Sequence, residues 1–167
     1  MAEPGRPRKC DPKVDNLCSN IRQEKYDIAK TTLKEFGIDA TDGYGRTALI
    51  NAVIENKPQF IRWLIDNGAN INHQDRNGFS VLHFVGQNGL INLAEYFLDN
   101  GANPNLKDKH GNTALMTAVH NSFREKKVVS IFLEHAANPD IVNNYEVTPR
   151  ALYKTINGTE ITELIEK

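Results

Sequence analysis

The sequence predicts an all-α fold in which short helix pairs stack as a repeat array. A turn-and-cap phrase, Gly45-Arg46-Thr47-Ala48-Leu49, returns after 33 residues at Gly78–Leu82 and after 33 more at Gly111–Leu115. A second phrase, Asn67-Gly68-Ala69-Asn70-Ile71-Asn72, returns in the same phase at Asn100–Asn105, with a degenerate copy at 135–140. Two phrases that share one period indicate units that bury their apolar faces against each other.

The unit from 75 to 107 shows why each repeat should contain two helices. Asp75–Gly78 has turn-forming residues, and Ser80 stands where a helix N-cap belongs. Gly89 ends the first helix, and Leu90–Asn100 has the apolar spacing of a second one. Gly101 then follows as the residue that ends the second helix. Because neither helix is long enough to be stable alone, each pair must pack on its neighbours.

These phrases resemble those of the ankyrin-repeat family. The resemblance is carried by Asp42, Gly45, Thr47–Leu49, Asn67–Asn72 and the pair Leu82-His83, together with the copies 33 residues on, and it covers residues 40 to 155. It implies an ankyrin-repeat solenoid of helix-turn-helix units joined by β-hairpin-like loops, with a concave binding face.

Departures from the period predict where the array begins, varies and ends. The third full unit carries two extra residues in the stretch 122–127, which is either a binding loop or a tolerated insertion. Ala136 and Glu146 replace glycines, so both are expected at positive φ at a cost of about 1 kcal/mol. Helices are expected around 17–21 and 28–36 and, at the end, over 160–166. The predicted segments are a disordered basic tail (1–12), a degenerate N-terminal capping repeat (13–41), repeats at 42–74, 75–107 and 108–142, and a C-terminal capping repeat (143–167).

The composition excludes several classes of function. The net charge is −1, so there is no global attraction to nucleic acid or to a membrane surface. No apolar run is long enough to span a bilayer, and the start of the chain lacks the pattern of a secretory signal.

Cys10 and Cys18 are the two cysteines. They could form a disulfide that staples the N-terminal segment, but free thiols in a reducing cytoplasm are the preferred interpretation.

The sequence contains no recognisable catalytic pattern. A Gly-rich phosphate loop, paired metal ligands and a nucleophile elbow are all missing from it. His83 is expected to form hydrogen bonds inside the array. His110 and His120 are expected to line one face together, as surface residues rather than as a metal site. The sequence therefore predicts a protein that is not an enzyme and uses no cofactor or metal.

Positions that vary between repeats are the candidates for partner recognition, because the invariant ones build the array. The resemblance to the family places contacts at the loop tips and at the ends of the first helices. The predicted partner-binding residues are Tyr44, Arg46, Ile54, Glu55, Gln74, Arg76, Asn77, Phe79, Gln87, Asn88, Lys107, Lys109, His110, Asn112, His120, Asn121, Asn144 and Tyr145.

This predicted contact set is rich in aromatic and basic side chains. Tyr44, Phe79 and Tyr145 belong to residue types that are common at interface hot spots. One interpretation is a partner with an acidic surface; the other is that loop tips are solvated and their charge is incidental. The predicted contact set has one acidic residue, Glu55. Its basic residues other than histidine are Arg46, Arg76, Lys107 and Lys109.

The sequence therefore favours a non-enzymatic, monomeric protein that binds a protein partner as an inhibitor or a scaffold. A bacterial immunity protein that neutralises a cognate toxin is one version of this hypothesis, and a eukaryotic adaptor or regulatory inhibitor is the alternative. A nucleic-acid-associated protein is the hypothesis of another class. It rests on the basic strip, defined as Arg46, Arg76, Lys107 and Lys109, and on the N-terminal Arg6, Arg8 and Lys9.

Overall fold

The computed structural model describes residues 10–121 and 126–165 and has the predicted all-α repeat fold. Among these residues, extended pairing is limited to one bridge between Thr41 and Thr47. The chain divides into two compact units, Met1–Asn77 and Gly78–Lys167. The helices are α1 (Pro12–Asp15), α2 (Leu17–Arg22), α3 (Tyr26–Phe36), α4 (Ala48–Ile54), α5 (Pro58–Asp66), α6 (Val81–Asn88), α7 (Ile91–Asp99), α8 (Ala114–His120), α9 (Lys126–Glu134), α10 (Pro149–Asn157) and a 3₁₀ helix (Ile161–Leu164).

The first unit is held together by helix packing and by a row of aromatic rings. Helix α2 packs against α3 and α4, and α4 packs against α5. The Tyr26 ring stacks on the Phe60 ring with centroids 4.8 Å apart, and Phe60 stacks on Trp63 at 5.5 Å. The Lys30 ammonium lies over the Trp63 ring, 5.2 Å from its centroid. The row thus joins α3 to α5.

In the second unit the first helices of successive repeats pack on each other, α6 on α8 and α8 on α10, while α7 packs on α9. Gly86 makes the first of these contacts possible. A Cβ at this position would lie 2.9 Å from the Ala114 carbonyl oxygen and 3.3 Å from the Ala118 Cβ. Tyr153 of α10 is 1% exposed and fills the last layer of the core.

The predicted N-caps at Thr47, Ser80 and Thr113 are confirmed. The Thr47 hydroxyl accepts a hydrogen bond from the Ile50 N–H at 3.4 Å. Thr113 and Thr148 each accept from the N–H three residues on, at 3.3 and 3.1 Å. Each threonine satisfies a backbone donor that the first turn of a helix leaves without an intrahelical partner.

Several residues of the helix-end phrase have a structural role. Gly68 has φ +82°, which lets the Ala69 N–H turn back to the Leu64 carbonyl at 3.0 Å. The Asn70 side chain accepts from the Asn72 N–H at 3.0 Å and so shapes the turn that follows. The copy at 100–105 makes the corresponding bonds, which explains why the phrase repeats.

Each loop before a first helix is organised by the Asp or Asn at its start. Asp42 Oδ1 accepts hydrogen bonds from the Tyr44 N–H at 2.8 Å and from the Arg46 N–H at 3.0 Å. Asp108 and Asn143 bind the N–H groups two and four residues on in the same way. The loop tips are therefore held in a fixed conformation by side chains buried or half-buried at their base.

The glycines of these loops allow neighbouring loops to touch. Gly78 and Gly111 have φ +81° and +76°. A Cβ at Gly78 would lie 2.8 Å from the Asp108 Cα, and one at Gly111 would lie 2.9 Å from the Asn144 nitrogen. In the first unit, a Cβ at Gly45 would lie 2.9 Å from the Arg76 Cγ and 3.2 Å from the Arg76 backbone nitrogen. These glycines are required both for positive φ and for space.

Ala136 and Glu146 both have φ +60°, which confirms their predicted backbone conformation. Ala136 stands in the phase of Gly68 and Gly101, where an added Cβ would meet nothing within 4 Å. A non-glycine residue at this repeat position therefore costs only the backbone strain of a positive φ and causes no steric clash. Gly45, Gly78 and Gly111 occupy the same repeat position as Glu146, and each of them faces the loop that follows. Within residues 126–165 no further loop of this kind comes after Glu146, so its side chain has no such loop to avoid.

The two ends of the chain differ in part from expectation. Asp11 caps α1, which begins at Pro12, so residues 10–12 of the predicted tail have a described structure, whereas residues 1–9 lie outside it. The expected helix over 160–166 is wrong in type and length, because a 3₁₀ helix occupies Ile161–Leu164. Gly158, with φ +73°, ends α10 before this 3₁₀ helix.

Of the predicted insertion, residues 122–125 lie outside the described residues, and α9 begins at Lys126. Cys10 and Cys18 are both free thiols, as preferred above. No helix in the described ranges combines the length and the apolar character needed to cross a bilayer.

The loop glycines and the helix-end glycines should differ in their tolerance of a methyl group. Gly101→Ala should lower the free energy of unfolding by about 1 kcal/mol, since φ +84° is strained but the space is open. Gly78→Ala should lower it by about 3 kcal/mol because the Asp108 backbone must also move. Urea unfolding of both variants measures the difference, and equal losses would contradict the crowding argument.

The reverse change at the degenerate helix end should stabilise the protein. Ala136→Gly removes the strain of a non-glycine residue at φ +60°. The larger chain entropy of glycine in the unfolded state opposes this gain, so the net increase should be about 0.5 kcal/mol. Thermal unfolding should show a higher midpoint for Ala136→Gly. As a matched control, Ala137→Gly should lower the midpoint, because Ala137 is buried.

Candidate protein-binding surface

In the first unit the predicted contact residues lie on two successive loops. Tyr44 is 50% exposed, and the Arg46 guanidinium carbon lies 5.3 Å from its ring centroid. Arg46 Nε also faces the buried Asp75 carboxylate at 3.5 Å. The Arg76 N–H donates to the Tyr44 carbonyl at 3.1 Å and joins the two loops. Gln74 and Asn77, also predicted, flank these residues on the second loop.

Ile54 and Glu55, predicted at the end of a first helix, end α4 and begin the turn after it. The Glu55 carboxylate accepts two hydrogen bonds from Arg22, from Nη2 at 2.8 Å and from Nε at 3.0 Å. Its side chain is 14% exposed. Hydrogen bonding by Arg22 holds the pKa of Glu55 below its usual value. Glu55 therefore ties α4 to α2, and little of it remains for a partner.

In the second unit the predicted residues at two loop tips contact each other. The rings of His110 and Tyr145 are stacked, with centroids 6.4 Å apart and planes 22° from parallel. The Asn144 N–H donates to the His110 carbonyl at 2.9 Å, and its side chain donates to the Lys109 carbonyl at 3.0 Å. Tyr145 is 69% exposed, and Lys109 is exposed as well. Asn144 thus fixes the tips rather than pointing to a partner.

His83 is buried and connects α6 to one of these loops, as the sequence predicted for its hydrogen bonds. Its Nδ1 accepts from the Ser80 N–H at 3.1 Å, so Nε2 carries the proton and donates to the Asn112 carbonyl at 3.1 Å. Phe79 stacks on the His83 ring at 5.3 Å. The Asn143 amide donates to Asn112 Oδ1 at 2.8 Å and links the loop to the next one.

Other predicted members of the second unit have internal partners. The Lys107 ammonium donates to the Val142 carbonyl at 2.9 Å. The side-chain amides of Asn88 and Asn121 donate to the carbonyls four residues before them, at 2.9 and 3.1 Å, and so finish α6 and α8. Gln87 is exposed beside Asn88.

A groove of about 540 Å³ lies in the second unit, and five predicted residues line it. The predicted ones are Phe79, His110, Asn112, His120 and Tyr145; the others are Asp108, Met116, Thr117, Asn143, Val147 and Leu152.

His110 and His120 both line this groove, in agreement with the expectation that they share one face. Among the described residues, no group of three or more His, Cys, Asp or Glu is placed to hold a metal ion.

Met116 and Thr117 were missed by the sequence prediction although a signal for them existed. They occupy the phases of Ile50 and Asn51 in the first full repeat, and these phases change residue type in every unit. The prediction confined variable contacts to the loop tips and helix ends. The positions inside the first helices whose residue type changes from repeat to repeat would have indicated these two residues of the groove.

The comparisons with known proteins fit this architecture. A family model described as ankyrin repeats in three copies matches residues 17–108, 61–144 and 82–164. The chain belongs to the ankyrin-repeat family. It is also 34% identical over 113 residues to the mouse protein named B-cell lymphoma 3 protein homolog. The match covers 67% of this chain and 24% of that protein.

As a set of ankyrin repeats, the chain is a protein–protein interaction module. The contact residues named above, and the role of the interaction, remain predictions.

The ion pair at the end of α4 predicts a specific pH dependence. Arg22→Gln should lower the free energy of unfolding at pH 7 by a small amount, because Arg22 is mostly exposed. The pKa of Glu55 is depressed in the folded state, so the stabilisation is present above the unfolded value of about 4.3 and is lost as the pH falls through the lower folded value.

Urea unfolding of both proteins from pH 7 to pH 3 tests this expectation. The difference between wild type and Arg22→Gln should shrink toward zero at the acidic end. A difference that stays constant over the whole range would show that Arg22 acts through packing and not through its charge.

Proposed function

We propose that the chain binds a protein partner through the tip surface of its second unit, defined as Lys109, His110, Tyr145 and the groove that the last two residues line. The observation that carries the proposal is the exposed Tyr145 ring stacked on His110 at the edge of this groove. An exposed aromatic side chain beside a groove is typical of an interface anchor.

The tip surface is held in place before any partner arrives. Asn143 binds the N–H groups of Tyr145 and Val147 at 2.9 and 3.0 Å, and Asn144 joins this loop to the carbonyls of Lys109 and His110. A surface that is already ordered loses little conformational entropy on binding. Its side chains can therefore contribute most of their contact energy to affinity.

The partner should present acidic groups to this surface. Lys109 is exposed there, and its charge would attract a carboxylate. The wider basic strip offers less, because Arg46 faces Asp75 and Lys107 donates to the Val142 carbonyl. The same internal partners reduce the support for nucleic-acid binding, which needs several cations directed at phosphates.

The mode of action that we favour is occlusion or scaffolding of the partner by a single, non-enzymatic copy of the chain in the cytoplasm. The two free thiols fit a reducing compartment. A bacterial immunity protein and a eukaryotic adaptor or regulatory inhibitor are two versions of this role. A toxin gene beside the gene for this chain, together with rescue from that toxin on co-expression, would select the first.

Affinity capture from the organism that carries the gene tests the surface itself. The baits are the wild-type chain, Tyr145→Ala and Lys109→Glu, with Lys34→Glu as a control because it makes the same charge change at an exposed position of α3 in the other unit. A partner retained by wild type and Lys34→Glu should be depleted with both surface variants. Its affinity for Tyr145→Ala should fall about 30-fold.

Two results would contradict the proposal. One is a partner whose affinity, measured with purified components, is unchanged by both surface variants. The other is a loss of affinity with Lys34→Glu that equals the loss with Lys109→Glu, since that would indicate net charge and not a surface. Thermal unfolding of each bait confirms that the repeats stay folded.

A further inference from the structure

The groove of the second unit has mostly apolar walls. Phe79, Met116, Tyr145, Val147 and Leu152 supply aromatic and aliphatic surface, and the volume is about 540 Å³. Pockets that enclose small organic groups have volumes of about 300–1,000 Å³. The groove is therefore large enough for one bulky side chain of a partner, and aromatic rings on its walls favour an aromatic guest through stacked or edge-on contacts.

The polar side of the groove favours a negative group beside that guest. His110 and His120 line it, and within residues 10–121 and 126–165 neither imidazole forms a hydrogen bond. The carboxylate among the lining residues, Asp108, is 8% exposed and already accepts from the N–H groups of His110 and Asn112 at 2.8 and 2.9 Å. Each neutral imidazole thus offers a ligand an N–H donor as well as an acceptor nitrogen, whereas Asp108 Oδ1 is already occupied.

Lys109 adds a formal positive charge at the same loop tip. Glu146, which follows Tyr145 in the neighbouring loop, does not line the groove. A carboxylate near the two imidazoles would accept charge-assisted hydrogen bonds and be attracted by Lys109, whereas an ammonium there would be repelled by Lys109.

We infer that this groove recognises a partner segment in which an aromatic side chain lies next to a carboxylate. The inference rests on the proposed function, since it names the chemistry of the partner at that surface. The aromatic ring enters between the apolar walls, and the carboxylate accepts from His110 or His120.

Methionine-methyl NMR of the full chain tests the inference directly. The chain has two methionines, Met1 and Met116, and Met116 lies on the groove. The probe is N-acetylphenylalaninate, which combines the ring and the carboxylate. Its two matched controls are N-acetylphenylalanine amide, which lacks the charge, and N-acetylalaninate, which lacks the ring.

The Met116 methyl signal should shift with N-acetylphenylalaninate and saturate with a Kd of about 1 mM, as expected for a ligand of this size. The Met1 signal should stay unchanged. Each control should bind at least about tenfold more weakly. His120→Ala should reduce the preference for the carboxylate over the amide while leaving binding of the amide unchanged.

The outcomes separate this inference from the proposed function. No saturable shift of Met116 with the probe overturns the inference, and equal affinity for carboxylate and amide overturns its charged part. If the captured partner is lost with Tyr145→Ala but the probe does not bind, the inference fails and the proposed function stands. If the probe binds as expected and the partner ignores Tyr145→Ala, the groove chemistry holds and the proposed function fails.

Discussion

Neighbouring loops in each unit can pack against each other because a glycine stands where their backbones meet. At Gly45, Gly78 and Gly111 the following loop passes within about 3 Å of the position of a Cβ, so a side chain there would force that loop to move. The close approach allows backbone bonds from one loop to the next, such as the Asn144 N–H to the His110 carbonyl at 2.9 Å. These bonds set the spacing of the loops and, with it, the position of the tip residues.

The two kinds of repeated glycine look alike in the sequence and differ in what they do. Gly68 and Gly101 need only a positive φ, so the degenerate repeat can carry Ala136 in their place. The loop glycines need space as well, and Glu146 stands in their phase at the last such loop of the described chain. The period of 33 residues thus predicts where glycines occur, but only the neighbouring loop shows which of them must stay.

Much of the fold follows from local chemistry, and the contacts that the sequence did not predict follow from stacking. Caps, turns and positive φ depend on residues a few positions apart, and these were predictable. Arg22 binds Glu55, and Glu24 binds Lys57, across 33 residues in each case. Residues one period apart lie side by side in the stack. The N-terminal repeat departs from the phrase pattern, so the phrases do not reveal which of its charges face the next repeat.

Availability, and not formal charge, decides what a surface offers to a partner. The loop tips appear strongly basic when their residues are counted, yet Arg46 is held over Tyr44 and beside Asp75, and Lys107 is bonded to a carbonyl. A cation that already has a partner must give up that interaction before it binds another group. The aromatic pair of His110 and Tyr145 makes no such demand, because the Tyr145 ring is 69% exposed and lies at the edge of the groove. Shape and the imidazoles on the groove therefore support the proposed binding surface of the second unit better than the summed charge of the loop tips does.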